Sequence, residues 1–158
     1  MKNSTYAFFG REWGKRTKRI ADLIPPHASV VDLGGGEENL REYLREPGQY
    51  VSIDRYPCRP STLVADFNAG EYPLVAADYI VAQGLVEYLD RPQEFFTRIR
   101  QYGPMLIFTW LDPGVRTAES RNHFKLPYIL RCLRRAGWRV MLSGAIPKHQ
   151  FIFYCTRV

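Results

Sequence analysis

The sequence predicts an α/β fold, a mostly parallel sheet flanked by helices and finished by an antiparallel pair of strands. Three observations predict it. Short Val- and Ile-rich runs alternate with segments of helical period along all 158 residues, the pattern of strand and helix units in succession. The run Asp78–Gln83 is apolar at consecutive positions, Tyr79-Ile80-Val81-Ala82, as central parallel strands buried on both faces are. The last two strand-like runs are joined by too few residues for a parallel crossover.

In chain order, Tyr6–Ile24 has a helical pattern, with Trp13, Ile20, Leu23 and Ile24 near one face and basic residues on the other, until Pro25-Pro26 stops it. Ser29–Leu33 is a strand, Glu38–Arg45 a helix closed by Pro47-Gly48, and Tyr50–Asp54 a second strand ending on a carboxylate. Thr62–Asp66 and Asp78–Gln83 are the third and fourth strands, separated by a short Asn-Ala-Gly-Glu-Tyr-Pro connection. Pro92–Tyr102 is a helix and Met105–Trp110 a fifth strand. Leu126–Ala136 is a helix ended by Gly137, where a left-handed cap is favoured. Trp138–Leu142 and Gln150–Thr156 supply the closing pair.

The length suits one domain with its own core, and 46% apolar residues without a low-complexity tract argue for globular structure throughout. The longest apolar runs, near Leu106–Leu111 and Phe151–Tyr154, are far too short to span a bilayer, and no charged-then-apolar leader opens the sequence. A soluble, cytoplasmic protein without membrane contact is expected. Cys58, Cys132 and Cys155 are odd in number, scattered and without a CxxC pair, which argues against a disulfide framework and against a zinc site. No metal is expected.

The net charge of +6 gathers in two places: Arg11, Lys15, Arg16, Lys18 and Arg19 near the N-terminus, and Arg131, Arg134, Arg135 and Arg139 on and after a later helix. Such runs serve as solvated faces, and no recognisable nucleic-acid module accompanies them. An acidic or phosphorylated ligand fits the same charge.

The most informative stretch is Ser29-Val30-Val31-Asp32-Leu33-Gly34-Gly35-Gly36-Glu37-Glu38-Asn39-Leu40: a strand, a turn through three glycines, then a helix. Such a turn lets main chain approach a ligand closely, and the unpartnered N–H groups at the helix start attract electron-rich groups. A nucleotide-type cofactor is expected there. Asp54 and Asp66 would emerge at the ends of neighbouring strands, where open α/β sheets bind ligands, although each also has a reading as a turn or helix cap. A nicotinamide-binding domain is the rival for this fingerprint, yet its third glycine would stand where Asn39 is.

Together these residues resemble the class I S-adenosylmethionine-dependent methyltransferases of the small, seven-strand type, over almost the whole length. The resemblance rests on Asp32-Leu33-Gly34-Gly35-Gly36, on Asp54 closing the second strand, on Val64-Ala65-Asp66-Phe67, and on Asp78 to Leu89 followed by Asp90-Arg91-Pro92. It implies a Rossmann-like three-layer sandwich, a mostly parallel seven-stranded sheet with an antiparallel terminal strand, forming a single domain over 1–158. Within it, 1–26 would be a leading helix and lid and 27–158 the cofactor-binding sheet core.

The resemblance further implies S-adenosylmethionine as cofactor, held by Asp32, Gly34, Gly35, Gly36, Asp54, Arg55, Asp66, Phe67, Gln83, Gly84 and Glu87. Asp54 would take the ribose hydroxyls, and Asp66 with the Phe67 N–H the adenine. Glu87 would orient the loop or the methionine end. His123 is the candidate catalytic base, with a hydrogen-bonded loop histidine as its other reading. Tyr6, Trp13, Tyr88, Trp110 and Arg121 would line the substrate side, with Phe8 and Phe9 joining the lid, and Arg116 beside Arg121 would hold a phosphate or carboxylate. The family usually has a further glycine where this chain has Glu38. A side chain in a left-handed conformation costs about 1–2 kcal/mol, whereas a carboxylate at a helix start gains roughly 0.3–1 kcal/mol, so Glu38 is left to face solvent, to meet the cofactor's ammonium, or to repel its carboxylate.

The function implied is methyl transfer to a small, anionic or sugar-derived metabolite. The sugar follows from a similarity, through Tyr88 and the Trp110 strand end, to methyltransferase-like proteins of polysaccharide pathways. The alternatives are an inactive methyltransferase-like binding or scaffold protein and, behind it, an RNA methyltransferase. A homo-oligomer or partner chain that completes the pocket is left open.

Overall fold

A computed structural model describes residues 14–158 apart from Thr117 and Lys148. Tyr6, Phe8, Phe9, Arg11 and Trp13, assigned above to a lid, a basic cluster and the substrate side, lie outside the described residues. The sheet consists of β1 (Val30–Leu33), β2 (Tyr50–Asp54), β3 (Leu63–Val64), β4 (Tyr79–Ala82), β5 (Met105–Leu111), β6 (Trp138–Ile146) and β7 (Gln150–Arg157), in the order β3-β2-β1-β4-β5-β7-β6. The pairs β1–β2, β1–β4, β2–β3 and β4–β5 are parallel, and β7 runs antiparallel to both β5 and β6. The expected seven-stranded sheet, parallel except for one reversed strand, is present. Strand order turns back between β1 and β4, which opens a crevice at their carboxyl ends.

Among the described residues four α-helices cover the sheet: α1 over residues 14–21, α2 (Asn39–Tyr43), α3 (Pro92–Arg98) and α4 (Leu126–Arg135). The strands alternate between two cores, as their period of two dictates. Val31, Leu33, Ile80, Ala82, Leu106 and Phe108 face Phe95, Phe96 and Ile99 of the α3 segment and Ile129 and Leu133 of α4. Val30, Val81 and Ile107 face the other way, onto Ile20, Ala21 and Ile24 from α1 and the turn after it and onto Leu40 of α2. Thr17, Ile20, Ala21 and Ile24 are buried at helical spacing, leaving Lys15, Lys18 and Arg19 outside.

Several boundaries differ from those expected, each for a local reason. The helix expected over Glu38–Arg45 is five residues long, because Leu44 turns extended at φ −71°, ψ 136° and Glu46 sits at φ 44°. The helix begun at Pro92 tightens after Arg98 into a 3₁₀ turn, Ile99–Gln101. The closing hairpin is longer than its sequence suggested. Ser143, Gly144 and Ala145 have poor strand propensity, yet they pair with Phe153, Ile152 and Phe151 of β7, so partner and position override propensity. No described helix is long and apolar enough to cross a membrane, and no group of described His, Cys, Asp and Glu residues is placed to hold a metal ion.

Candidate active site

The glycine turn folds directly over the end of β1. Asp32 is fully buried and accepts a 2.6 Å hydrogen bond from the Tyr50 hydroxyl through Oδ2. Burial pushes its carboxyl up to about 7, the charges of Asp54 and Glu38 add to this, and the Tyr50 bond and Arg16 oppose it. Gly35 lies so close above that a Cβ would be 3.1 Å from Asp32 Oδ2 and would collide with Ser52 Oγ. At Gly36, with φ +52°, a Cβ would meet open space, so backbone conformation alone selects glycine there.

The carboxylate of Asp54 ties this turn to the next one. Its Oδ2 accepts from Gly36 N and its Oδ1 from Tyr56 N, both at 3.0 Å, and each oxygen keeps capacity for a second donor. Asp66 Oδ1 accepts from Asn68 N at 2.9 Å and so caps the 3₁₀ turn Phe67–Ala69. The capping reading of both aspartates is thus realised, and both also line a cavity of about 660 Å³ at the carboxyl ends of β1–β4. Gly34, Arg55, Phe67, Gly84, Tyr88 and Arg121 line it too. Phe67 packs edge-on against Phe95. Arg55 rests on Tyr56, and Arg121 pairs with Asp90 at 2.9 Å.

A second cavity, of about 790 Å³, adjoins it through Gly84 and Tyr88, which line both. Its walls include Lys15, Arg16, Lys18 and Arg19 of α1 together with Gln83, Glu87 and Gln150. Gln83 Oε1 accepts from Thr17 Oγ1 at 3.0 Å, which fastens α1 to the end of β4. Glu87 is 6% exposed, and its Oε2 has no hydrogen-bond partner among the described residues. Burial raises the Glu87 carboxyl above the ordinary range, against its own main-chain hydrogen bond and the charges of Arg16 and Arg116.

The turn carrying Glu87 and Tyr88 is pinned from two sides by asparagines that sequence reasoning passed over. Asn122 is buried and donates from Nδ2 to the carbonyls of Val86, at 2.8 Å, and Leu89, at 2.7 Å. Asn68 Nδ2 donates to the Tyr88 carbonyl at 2.9 Å, and its Oδ1 accepts from Asp90 N at 2.9 Å. Nothing local in the sequence marks these residues, because their partners are main-chain groups 20 or more positions away.

Several residues expected at the site line neither cavity. Asp32, Gly35 and Gly36 shape the turn without lining either cavity. Trp110 is 4% exposed in the core, its Nε1 donating to the Phe124 carbonyl at 3.2 Å. Arg116 is consumed internally, with Nε on the Leu111 carbonyl and Nη1 on the Asn122 carbonyl and Oδ1. His123 is exposed and lines neither cavity.

Glu38 stands at φ 60°, ψ 30°, the left-handed conformation that a glycine would adopt without strain. Its carboxylate does not face solvent. It is 6% exposed and tucks beneath the β2–β3 loop, where Oε1 accepts from Ser61 Oγ at 3.1 Å and Thr62 Oγ1 at 3.4 Å, and Oε2 lies 3.7 Å from Arg41 Nη1. Glu38→Gly is therefore expected to change S-adenosylhomocysteine affinity by less than about threefold, under 1 kcal/mol. A larger gain on titration would mean that the carboxylate does repel a ligand.

No protein-family profile matches the chain, and no curated protein matches it. Many solved structures share its architecture. Among them are a Haloferax volcanii protein assigned as a methyltransferase and solved in complex with the Trm112 methyltransferase activator (17% identity, TM-score 0.74, covering 97% of this chain and 96% of that one) and a TehB-like SAM-dependent methyltransferase from Corynebacterium glutamicum (16%, 0.72, 98% and 97%). The pyocyanin biosynthetic protein PhzM also matches (16%, 0.70, 90% of this chain), and this chain spans about half of its length, 54%. The architecture is the class I S-adenosylmethionine-dependent methyltransferase fold, the fold expected from the glycine turn and strand-end carboxylates.

Proposed function

We propose that this protein binds S-adenosylmethionine in the cavity of about 660 Å³ and transfers its methyl group to a small molecule in the adjoining one. One observation carries the reading: the Asp54 and Asp66 carboxylates line a single cavity beside Gly34, at the sheet ends where the strand order turns back. Asp54 would accept from the ribose hydroxyls with the lone pairs its turn contacts leave over. Asp66 and the Phe67 N–H would receive the adenine, and the Gly34 turn and Gly84 the methionine end, with Gln83 reaching it from the adjoining cavity at the shared Gly84 boundary. The bound sulfonium supplies an activated methyl group. The protein's part is to hold that group against an acceptor and keep water away.

The acceptor is proposed to be a small, anionic or sugar-derived metabolite, on the strength of the four cationic α1 residues in the second cavity. The basic role proposed for His123 has no geometric support, since the residue lines neither cavity. A second reading, a binding protein that has lost turnover, is favoured by the side chain at Glu38 where glycine would be unstrained. An RNA acceptor is the weakest proposal, since Arg131, Arg134 and Arg135 of α4 line neither cavity. A partner chain closing the second cavity is supported by the activator complex of the Haloferax volcanii neighbour.

Isothermal titration with S-adenosylmethionine and S-adenosylhomocysteine tests the cofactor assignment. Saturable heat with both is expected, and silence with both removes the proposal. Methyl transfer from labelled cofactor into a metabolite pool then separates an enzyme from a binding protein.

A further inference from the structure

We propose that the outer edge of β6 takes up an acidic, extended segment of a partner protein as an eighth strand of the sheet. Neither α4 nor the stretch of β6 from Arg139 to Ala145 lines a cavity, so this surface is separate from the site described above and does not depend on the function proposed for it. Charge marks this side of the molecule. Residues 120–158 hold eight of the chain's 22 Lys and Arg and none of its 16 Asp and Glu, which more than accounts for the net charge of +6. Arg131, Arg134 and Arg135 are exposed on α4, which runs through Ala136-Gly137 into β6, where Arg139 is exposed as well. None of these four forms an ion pair among the described residues. At the other end of the edge, Arg19 Nη1 donates to the Ala145 carbonyl at 3.4 Å. Such a field draws an anionic partner and repels a second copy of itself.

The edge decides which anionic partner fits. β6 is last in the strand order, so its outer main-chain groups have no strand beside them among the described residues, and at nine residues it is longer than most strands. From Val140 to Ile146 it carries no charge and no proline, the usual guards of an exposed edge. A register shift interrupts the ladder between Val140 and Leu142, and from Leu142 to Ile146 the pairing is regular. Met141 and Leu142 are 53% and 62% exposed, and a Cβ on Gly144 would meet open space, so main chain there is accessible. Val140 stands opposite Cys155 on the α4 face and Leu142 opposite Tyr154 on the α1 face, so the apolar side chains do not form the one-sided surface that a lipid bilayer would bury. A nucleic acid would meet the arginines and leave the uncharged edge unused. An added strand uses both: its amides pair with β6, its side chains alternate between the two faces, and its carboxylates meet the flanking arginines.

Fluorescence anisotropy on the full chain at low salt tests this with a labelled peptide of about ten alternating Glu and Val residues, long enough for one strand. The comparisons are a Glu–Pro peptide of equal charge that cannot pair as a strand, a Lys–Val peptide of opposite charge, a single-stranded RNA oligonucleotide and phosphatidylglycerol vesicles. The Glu–Val peptide is expected to bind at least about tenfold more tightly than any of these, to weaken as salt rises, and to slow main-chain hydrogen exchange across Leu142–Ala145 while leaving Gly34–Gly36 unchanged. Arg134→Glu, Arg135→Glu and Arg139→Glu combined are expected to weaken it about tenfold or more. Should that variant not fold, Arg139→Glu alone takes its place, with a loss of several-fold expected. Absent binding of the Glu–Val peptide, equal binding of the Glu–Pro peptide, tighter binding of the RNA or the vesicles, protection confined to residues outside β6, or unchanged affinity in the variants overturns the proposal. Its failure leaves the cofactor assignment standing, and silence in the cofactor titration leaves this surface standing.

Discussion

Asp54→Ala is expected to weaken S-adenosylhomocysteine binding by about one to two orders of magnitude, the value of one or two hydrogen bonds to a charged group. The carboxylate has two tasks that the substitution removes together. It would accept from the ligand, and it holds Gly36 N and Tyr56 N at 3.0 Å, fixing the glycine turn against the loop after β2. Asp54→Asn separates these tasks in part, since the amide keeps one acceptor oxygen while its NH₂ faces a main-chain N–H. Titration of both variants, with melting curves to follow the fold, checks the result. Affinity unchanged in Asp54→Ala would place the nucleoside elsewhere.

The second large effect concerns Asp32 and pH. The folded chain holds its carboxyl at about 7 against an ordinary value of 3.8, because ionisation inside the sheet is penalised by burial. Between those values the native state keeps a proton that the unfolded chain releases, so this group's contribution to stability is fully present below 3.8 and is lost as pH rises through about 7. The loss over the whole window is on the order of 4 kcal/mol. Asp32→Asn keeps an oxygen for the Tyr50 hydroxyl and has nothing to ionise. Relative to wild type, the variant should therefore gain stability from acid toward pH 8, whatever the other carboxylates do to both proteins. Denaturant melts at several pH values give the difference curve, and a flat one would show that Asp32 titrates normally.

How much of this was legible in the sequence differs by element. β2 begins and ends where its residues said, because Tyr50-Val51-Ser52-Ile53-Asp54 has strand propensity along its length and a turn at each end. The glycine turn was legible for a similar reason, since sterics at Gly35 and backbone conformation at Gly36 leave little choice of residue. The direction of Glu38 was not, because its partners Ser61 and Thr62 come from a loop whose path no local pattern sets. Nor was the arrangement around Arg16. The basic cluster was plain in the sequence, but how α1 docks, fastened by Thr17 to Gln83, decides which of its cations turn inward. His123 shows the converse: a residue type suited to proton transfer, set in a suggestive segment, that the fold leaves on the surface.

The wall bearing Tyr88 is clamped by Asn68 and Asn122 through main-chain carbonyls. On the function proposed above, a guest arriving there would meet a preorganised template, and the ordering penalty of association would fall on the guest and on the long aliphatic stems of the α1 cations opposite. Selectivity on the template side would then come from shape, on the facing side from adaptable charge.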